Sequence, residues 1–503
     1  MNIDPNIPKP LQLYTADQSR EIDRRTIEEF GIDGFTLMEM AAKGAATTIQ
    51  NYLGENKQGL FVCGKGNNAG DALAAARYLT ENAGHHVSIF FALGTDNLSP
   101  DCDKNYSLLK KLSEHSDSIS FLNGNLEDSF PQSDYLVDGL FGTGLASEIR
   151  SPVKEITEQI NRLEKPVFSM DLPSGLNADT GTVHGVTVRA DHTCTFGTQK
   201  TGLFINNGPT YSGTVHFTDL PFPSYLRKNF ITGIDPELSK VLPKISRQAR
   251  HKYEDGVVHL IAGSPGLTGA AIMAAKSAWR QGAGSVILYT PEALLPIYEN
   301  ALPQIIKIVL DDSASFQPRH VETILQKIID KPGVLLMGPG MGTSDQTREF
   351  TTSLLKSYAG PAVIDADALA CWESLKNIDS ERRKEWLLTP HPGEAKKYLG
   401  FDSQQLNPIT VATEFSNQNN VSLLLKGNPT IYIPYNSSPF MTTYDTAPFS
   451  RAGFGDVLSG SVATWWGISK SLKWAPVYAL LDGYTNYISK KESQDSFGPE
   501  DLT

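Results

Sequence analysis

Arg451-Ala-Gly-Phe-Gly-Asp-Val-Leu-Ser-Gly460 sets two closely spaced glycines and an aspartate ahead of Val457 to Trp466, a run with the composition of a buried helix. With Asp456 opening that helix, the N–H groups of Gly455 and its neighbours point outward as an anion site with a carboxylate beside it. A carboxylate against a bound phosphate is unfavourable unless a hydroxyl or a metal ion stands between them. The pattern therefore points to chemistry on a hydroxyl next to a nucleotide phosphate. The same residues also read as a Gly-rich turn in which Asp456 is only a helix cap. The rest of the chain decides between the two readings.

Outward from this stretch, short apolar runs alternate with amphipathic segments. In the second half, Val257 to Ile261, Ser285 to Tyr289, Val334 to Met337, Ala362 to Ile364, Leu387 to Leu388, Val421 to Leu425 and Thr430 to Ile433 read as strands, with helices starting at Gly269, Thr343, Asp367 and Asp456. In the first half, Leu60 to Cys63, Val87 to Phe91, Tyr135 to Val137 and Val167 to Met170 are runs of the kind buried on both faces of a parallel sheet. Asp71 to Leu79 and Val153 to Leu163 read as helices between them. Ala16 to Gln50 reads as two helices broken at Gly31 to Gly34, and Tyr211 to Leu220 as a last strand. Pro221, Pro223, Gly233, Pro236 and Pro243 then crowd a stretch with little periodicity, which puts the boundary between residues 220 and 245. The expectation is two different α/β domains in tandem, residues 1–225 and 240–503.

Composition narrows the function. At 503 residues, 40% hydrophobic and 20% charged, the chain has the material for two cores. No window approaches the ~18 apolar residues of a membrane span, and the start lacks a basic segment followed by an apolar run, so a cytoplasmic location is expected. Cys63, Cys102, Cys194 and Cys371 are widely spaced, which fits reduced thiols rather than a zinc site or disulfides. A net charge of −12 with no basic stripe argues against nucleic acid as a partner. Anionic small ligands remain open, held by local N–H groups and a few cations.

Gly64-Lys-Gly-Asn-Asn-Ala-Gly-Asp71 follows the first strand of the N-terminal half and satisfies the G-x-G-x-x-A fingerprint. The acid expected at the end of the next strand is missing, since Phe91 runs into Ala-Leu-Gly, which weakens a simple redox reading. Asn67 and Asn68 bring amides suited to a ribose-phosphate or a monovalent cation, or to turn formation. Two more polar turns follow strands, Val137-Asp-Gly-Leu-Phe-Gly-Thr-Gly-Leu145 and Ser169-Met-Asp-Leu-Pro-Ser-Gly-Leu-Asn-Ala-Asp-Thr-Gly181. Loops at the carboxyl ends of parallel strands form the ligand crevice, so Asn68, Asp138, Gly142 to Leu145, Asp171 and Ser174 converge there. Each aspartate alone reads as a helix cap, but their recurrence on one edge favours a site.

The second half carries its own polar turns. Ile261-Ala-Gly-Ser-Pro-Gly-Leu-Thr-Gly-Ala-Ala271 leads into a helix whose Ala274, Ala275 and Ala278 read as close packing, and Gly338-Pro-Gly-Met-Gly342 offers exposed N–H groups. Asp365 and Asp367, one residue apart beyond a strand, fit Mg²⁺ ligation and helix capping equally. In Thr389-Pro-His-Pro-Gly-Glu394, two prolines fix the backbone around His391. Leu425-Lys-Gly-Asn-Pro-Thr430 presents Lys426 to a phosphate as a point charge. The chain lacks a Walker A loop, GxSxG and HExxH, which removes P-loop, serine hydrolase and zincin readings.

Taken in order, LMExAA at Leu37 to Ala42, GNNxGD at Gly66 to Asp71, DGLFGTGL at Asp138 to Leu145, DLPSGLNADTG at Asp171 to Gly181 and TFGTQKTGL at Thr195 to Leu203 resemble the NAD(P)H-hydrate epimerase domain over roughly residues 10 to 220. The resemblance implies a Rossmann-like three-layer domain that interconverts the R and S epimers of hydrated nicotinamide cofactors. By motif position, Asn68, Asp138 and Ser174 would hold a potassium ion. Asn67, Asn68, Ala69, Gly70, Asp71, Gly142, Thr143, Gly144, Leu145, Ala146, Ser147, Glu148 and Asp171 would line the substrate site, with Asp171 the acid/base. Ala69 and Ala72 replace the family's usual glycines, putting methyl groups where backbone and ligand are expected to approach closely.

The motifs of the second half, over about residues 240 to 500, resemble the ADP- or ATP-dependent NAD(P)H-hydrate dehydratase domain, which is ribokinase-like. That resemblance implies nucleotide phosphates at Lys426, Gly427, Asn428, Pro429, Thr430 and Gly455, and hydrated cofactor near Ala270, Gly342, His391 and Asp456. Asp456 would act as the base that lets a hydroxyl attack a nucleotide phosphate. ADP (or ATP) is the implied co-substrate with Mg²⁺, and NADHX and NADPHX are the implied substrates of a homo-oligomer that binds neither nucleic acid nor membrane. Arg451 and Phe454 stand where the family has small residues. A ribokinase-like kinase of a small vitamin-type alcohol, and a nucleotide-binding protein with an inactive N-terminal domain, are the competing readings.

Overall fold

The computed structural model describes residues 11–122, 132–144, 148–183, 185–228, 230–241, 256–311, 313, 315–402, 407–493 and 496–503. Two compact units divide the described chain, Gln12–Ile231 and Thr232–Thr503, the latter joined by Leu11. The expected boundary region lies partly outside the described residues.

The N-terminal unit is built on a seven-stranded, wholly parallel sheet in the order Ile119–Phe121, His86–Phe91, Gln58–Cys63, Tyr135–Gly139, Val167–Met170, His192–Phe196, Thr214–Thr218. Its central strands are buried on both faces, as their unbroken apolar runs require. The order reverses between Gln58–Cys63 and Tyr135–Gly139, and the polar turns after those strands open at that switch point. The helix after the first of them runs Asn67–Ala83, four residues ahead of the expected start at Asp71. Gly66 caps it, and the asparagines read as turn formers occupy its first turn, where N–H groups are free in any case. Ahead of the sheet, Ala16–Arg25 is closed by a Thr15–Gln18 capping box, a π-helical turn covers Thr26–Phe30, and Gly34–Leu53 starts on the Asp33 carboxylate.

In the C-terminal unit the strands run in the order Ile306–Val309, Ser285–Thr290, Val257–Ile261, Val334–Met337, Ala362–Ile364, Trp386–Leu388, Ser422–Leu425, Ile431–Ile433, Phe440–Thr442, Ile231–Ile234. The first seven are parallel, and Ile431–Ile433 enters antiparallel to its neighbours on both sides. Helix Thr268–Arg280 packs backbone to backbone on helix Phe454–Ser469. A Cβ at Gly460 would meet the Ala274 carbonyl oxygen at 2.3 Å, and Ala274, Ala275 and Ala278 are fully buried. Ser277 Oγ donates to the Val457 carbonyl at 2.8 Å across the same seam. The alanines of 274 to 278 thus serve helix packing, the bland reading of that stretch.

Gly338 ends Val334–Met337 with φ +128, and a Cβ there would lie 1.7 Å from the Asp365 carbonyl oxygen. Left-handed backbone and direct overlap combine, so Gly338→Ala is expected to destabilise the C-terminal unit by more than about 3 kcal/mol. Thermal melting of the full chain should show an early transition that unfolds the C-terminal unit and leaves the N-terminal unit folded.

Candidate active sites

Each unit carries a large cavity at the carboxyl ends of its strands. In the N-terminal unit it measures about 560 Å³ and gathers Asn67, Asn68, Asp71, Gly142, Thr143, Gly144 and Asp171 together with Asp23 and Lys200. Asp171 follows Val167–Met170 with φ +59, a costly conformation for a non-glycine residue. Its Oδ1 pairs with the ammonium of Lys200, a side chain only 4% exposed. The same oxygen accepts from Thr195 Oγ1 at 3.3 Å and from the Phe196 N–H at 3.4 Å. Burial, then the charge of Asp171, pushes the Asp71 carboxyl well above the ordinary aspartate range, and burial also raises Asp23.

Asp138 lies beneath this cavity, fully buried. It accepts from Ser174 Oγ at 2.6 Å, the Ser174 N–H at 2.9 Å, Ser169 Oγ at 2.8 Å and the Leu140 N–H at 3.2 Å. Burial still holds its carboxyl above the usual value against those bonds. Asn68 is buried with neither amide atom hydrogen-bonded. A buried amide left without partners costs about 1–3 kcal/mol, so Asn68 suits a bound cation or ligand oxygen. Of the three residues expected to hold potassium, Asn68 alone is open, while Asp138 and Ser174 hold each other.

Ala69 and Ala72 lie in the core and do not line the cavity. Both are fully buried, with the Ala72 methyl against the position a Cβ of Gly139 would take. Gly70 faces Met38 instead of the cavity. Glu148 is exposed beside Gly185, and Leu145, Ala146 and Ser147 lie outside the described residues.

The C-terminal cavity, about 500 Å³, brings together His391, Lys426, Gly427, Asn428, Thr430, Gly455 and Asp456, with Asp365 and Glu394 beside them. Helix Phe454–Ser469 starts two residues before the expected opener, with Gly453 at φ +96 as its N-cap, so Asp456 sits inside the first turn. Gly453 supplies no side chain to close the helix start, which leaves its N–H groups to a ligand. A Cβ on Gly455 would lie 3.4 Å from Lys426 Nζ, so cation and helix terminus converge. Lys426 is anchored 2.8 Å from Asp365 Oδ1, and Asp365 is 1% exposed. Burial disfavours the ammonium, but the Asp365, Glu394 and Asp456 carboxylates outweigh it and hold Lys426 above its ordinary value. Asp456 is raised to about 7, by burial first and then by the charge of Asp365.

His391 caps the turn Pro392–Glu394. Its Nδ1 accepts from the Gly393 and Glu394 N–H groups at 3.0 and 3.2 Å, which leaves Nε2 to carry the proton, 3.6 Å from Glu394 Oε1. The loop between Lys426 and Thr430 is braced by Thr430 Oγ1 and Thr446 Oγ1 on the Gly427 carbonyl, at 3.0 and 2.6 Å, and by Asn428 on Asp445 at 2.7 Å. Phe454 is 4% exposed in an aromatic cluster, stacked on Phe497 at 5.2 Å. Arg451 donates to the Phe497 carbonyl at 3.0 Å. Both side chains therefore pack against the C-terminal segment while still bordering the cavity. Asp365 and Asp367 face different partners, Lys426 and the Gly342 N–H (2.8 Å), and no cluster of three or more metal-binding His, Cys, Asp or Glu side chains exists among the described residues. Gly342 is thereby tied to Asp367. Ala270, near Gly340, and Pro429 stand outside the cavity lining.

Two further residues belong to these sites without a signal of their own in the sequence. Lys200 stands inside the TFGTQKTGL motif with no role that its neighbours suggest, and Glu394 is only the last residue of the His391 turn.

These features define a protein with two sites, a Rossmann-like half whose crevice holds a carboxylate on a lysine and a C-terminal α/β half in which a carboxylate and a lysine meet an uncapped helix start. Residues 34–202 match the family described as YjeF-related protein N-terminus, and residues 258–487 match NAD(P)H-hydrate dehydratase. The bifunctional NAD(P)H-hydrate repair enzyme of Salinibacter ruber is 34% identical over 468 residues, 89% of this chain and 86% of that one. That of Dictyoglomus turgidum is 31% identical over 494 residues, 96% and 94%. The chain belongs to the family of bifunctional NAD(P)H-hydrate repair enzymes, which join an epimerase to a dehydratase. Among solved structures, an ADP/ATP-dependent NAD(P)H-hydrate dehydratase from Bacillus subtilis is 23% identical, with a TM-score of 0.45, over 54% of this chain and 95% of that one. No helix among the described residues is long and apolar enough to cross a membrane.

Proposed function

We propose that residues 1–225 interconvert the R and S hydrates of NADH and NADPH, and that residues 240–503 dehydrate the S form at the expense of ADP or ATP. The observation that carries this reading is the convergence of Asp456, Lys426 and the Gly455 end of an uncapped helix on one cavity. Asp456 takes the proton of the C6 hydroxyl, and the freed oxygen attacks the terminal phosphorus of the nucleotide as the bond to the leaving nucleotide breaks. Lys426 and the helix N–H groups bear the phosphate charge, and His391 Nε2–H donates to the hydrated cofactor. The C6–O bond then breaks with phosphate as leaving group, and loss of the C5 proton restores the ring double bond.

Magnesium accompanying the nucleotide would supply further charge neutralisation of the transferring phosphoryl group. In the first half, potassium held by Asn68, Asp138 and Ser174 would screen the substrate phosphates, while Asp171 takes the proton of the water that returns to C6. NADHX and NADPHX are the substrates, with no nucleic acid or membrane partner, in a cytoplasmic homo-oligomer.

Purified chain supplied with ADP or ATP and Mg²⁺ should restore the absorbance of reduced nicotinamide from both epimers; no recovery from the S form sinks the proposal. A small-alcohol kinase would instead accumulate a stable phosphate ester. Because the base must be ionised, kcat/KM for dehydration should fall about tenfold per unit as pH drops below the Asp456 value of about 7. A profile flat down to the ordinary aspartate range removes Asp456 from that role.

A further inference from the structure

We propose that Lys200 is a positioning residue for the epimerase: it clamps one carboxylate oxygen of Asp171 so that the other faces the substrate. The inference rests on Asp171 being the acid/base of that half. Three acceptors surround the Lys200 ammonium: Asp171 Oδ1, Thr195 Oγ1 at 3.3 Å and the Phe196 carbonyl at 3.3 Å. An ammonium has three protons, and all of them are taken by the protein. Lys200 therefore has no proton left for a phosphate or hydroxyl, although it borders the cavity.

Asp171 shows the complementary asymmetry. Its Oδ1 receives Lys200, Thr195 Oγ1 and the Phe196 N–H, whereas Oδ2 takes no hydrogen bond among the described residues. A carboxylate held by one oxygen on a strained backbone has its second oxygen aimed without rotational freedom, which is the geometry proton transfer requires. The clamp is itself fixed. Lys200 lies in a two-residue strand, Gln199–Lys200, paired in parallel with Leu13–Tyr14, and Thr201 Oγ1 closes on the Tyr14 carbonyl at 3.0 Å.

Lys200 also answers a charge problem. Asp71 from helix Asn67–Ala83, Asp23 from helix Ala16–Arg25 and Asp101 from helix Pro100–Ser113 border the same cavity as Asp171, and Lys200 is the cation set directly on Asp171. Asp71, driven towards its protonated form by burial and by Asp171, can hand a proton to the departing C6 oxygen while Asp171 receives one from the incoming water. Bond breaking and re-formation then balance: C6–O cleaves with one proton gained by the leaving water, and C6–O forms on the opposite face with one proton lost.

Lys200→Met and Lys200→Arg in the full chain test this, with R and S epimers separated by chromatography, spontaneous interconversion subtracted and rates taken across pH. Lys200→Met is expected to slow interconversion at neutral pH by about 10²-fold and to move the acid limb of kcat/KM upward by about one pH unit or more, since Asp171 keeps its acidic neighbours and loses its cation. Lys200→Arg should keep the limb in place. A parent-like rate in Lys200→Met, or a lower rate with an unmoved limb, overturns the proposal. Should Lys200→Met fail to fold, Thr195→Val decides. Losing one donor to Oδ1, it should lower kcat with little change in KM, and parent-like kinetics count against the clamp. Asp171→Asn in the same assay separates the layers. Parent-like interconversion there overturns the acid/base assignment, whereas loss there with an unmoved Lys200→Met limb overturns only the role of Lys200.

Discussion

Asp456→Asn should lower dehydration of the S hydrate by ~10³-fold or more, while R-to-S interconversion by the same chain is unchanged. The substitution keeps shape and helix register, because Asp456 lies in the first turn of Phe454–Ser469 and the helix is capped by Gly453 rather than by the aspartate. What it removes is a base raised to about 7 by burial and by Asp365, near the pH at which a base is both ionised and avid for protons. A neutral amide at this position also relieves the repulsion between the Asp456 and Asp365 carboxylates, so nucleotide binding should hold or tighten while kcat falls. The measurement is steady-state kinetics on the S form with nucleotide varied, alongside epimer interconversion. A variant that loses nucleotide binding but keeps kcat would make Asp456 a binding group and not the base.

The parallel sheets are legible in the sequence because their central strands are apolar on both faces, and the turns after them are polar wherever ligands enter. Asp138 and Ser174 are far apart in the chain yet meet at 2.6 Å, and the meeting follows from Asp138 standing near the end of one strand and Ser174 in the turn after its neighbour. Lys200 is not legible in that way. Its partner comes from another strand end, and its placement depends on the register of Gln199–Lys200 against Leu13–Tyr14, two very short strands with no periodicity to read. Phe454 and Arg451 look like obstacles to a nucleotide because their shared neighbour Phe497 comes from the far C-terminal segment, where local pattern gives no contact. The starts of Asn67–Ala83 and Phe454–Ser469 differ from expectation for one physical reason. Glycine at the cap position leaves a helix start without the Thr or Asp signal that marks Ala16–Arg25 and Gly34–Leu53.

In the first half, Asp171→Asn should abolish catalysed R-to-S interconversion, a loss of ~10²-fold or more, and leave S-hydrate dehydration at the parent rate. The expected phenotype is therefore specific: with nucleotide present, a mixture of epimers is repaired in two phases, the S fraction at normal speed and the R fraction only as fast as it epimerises spontaneously. Asparagine preserves the volume and can still accept from Thr195 and the Phe196 N–H through its amide oxygen, so Lys200 keeps a partner, though a neutral one. Loss of the charge also removes the second cause that raises the Asp71 carboxyl; burial, the larger one, stays, so its titration should move down while remaining above the ordinary range. A single-phase repair of both epimers at the parent rate would leave Asp171 with only a structural part, and its φ of +59 would then be a strain the cavity carries without catalytic return.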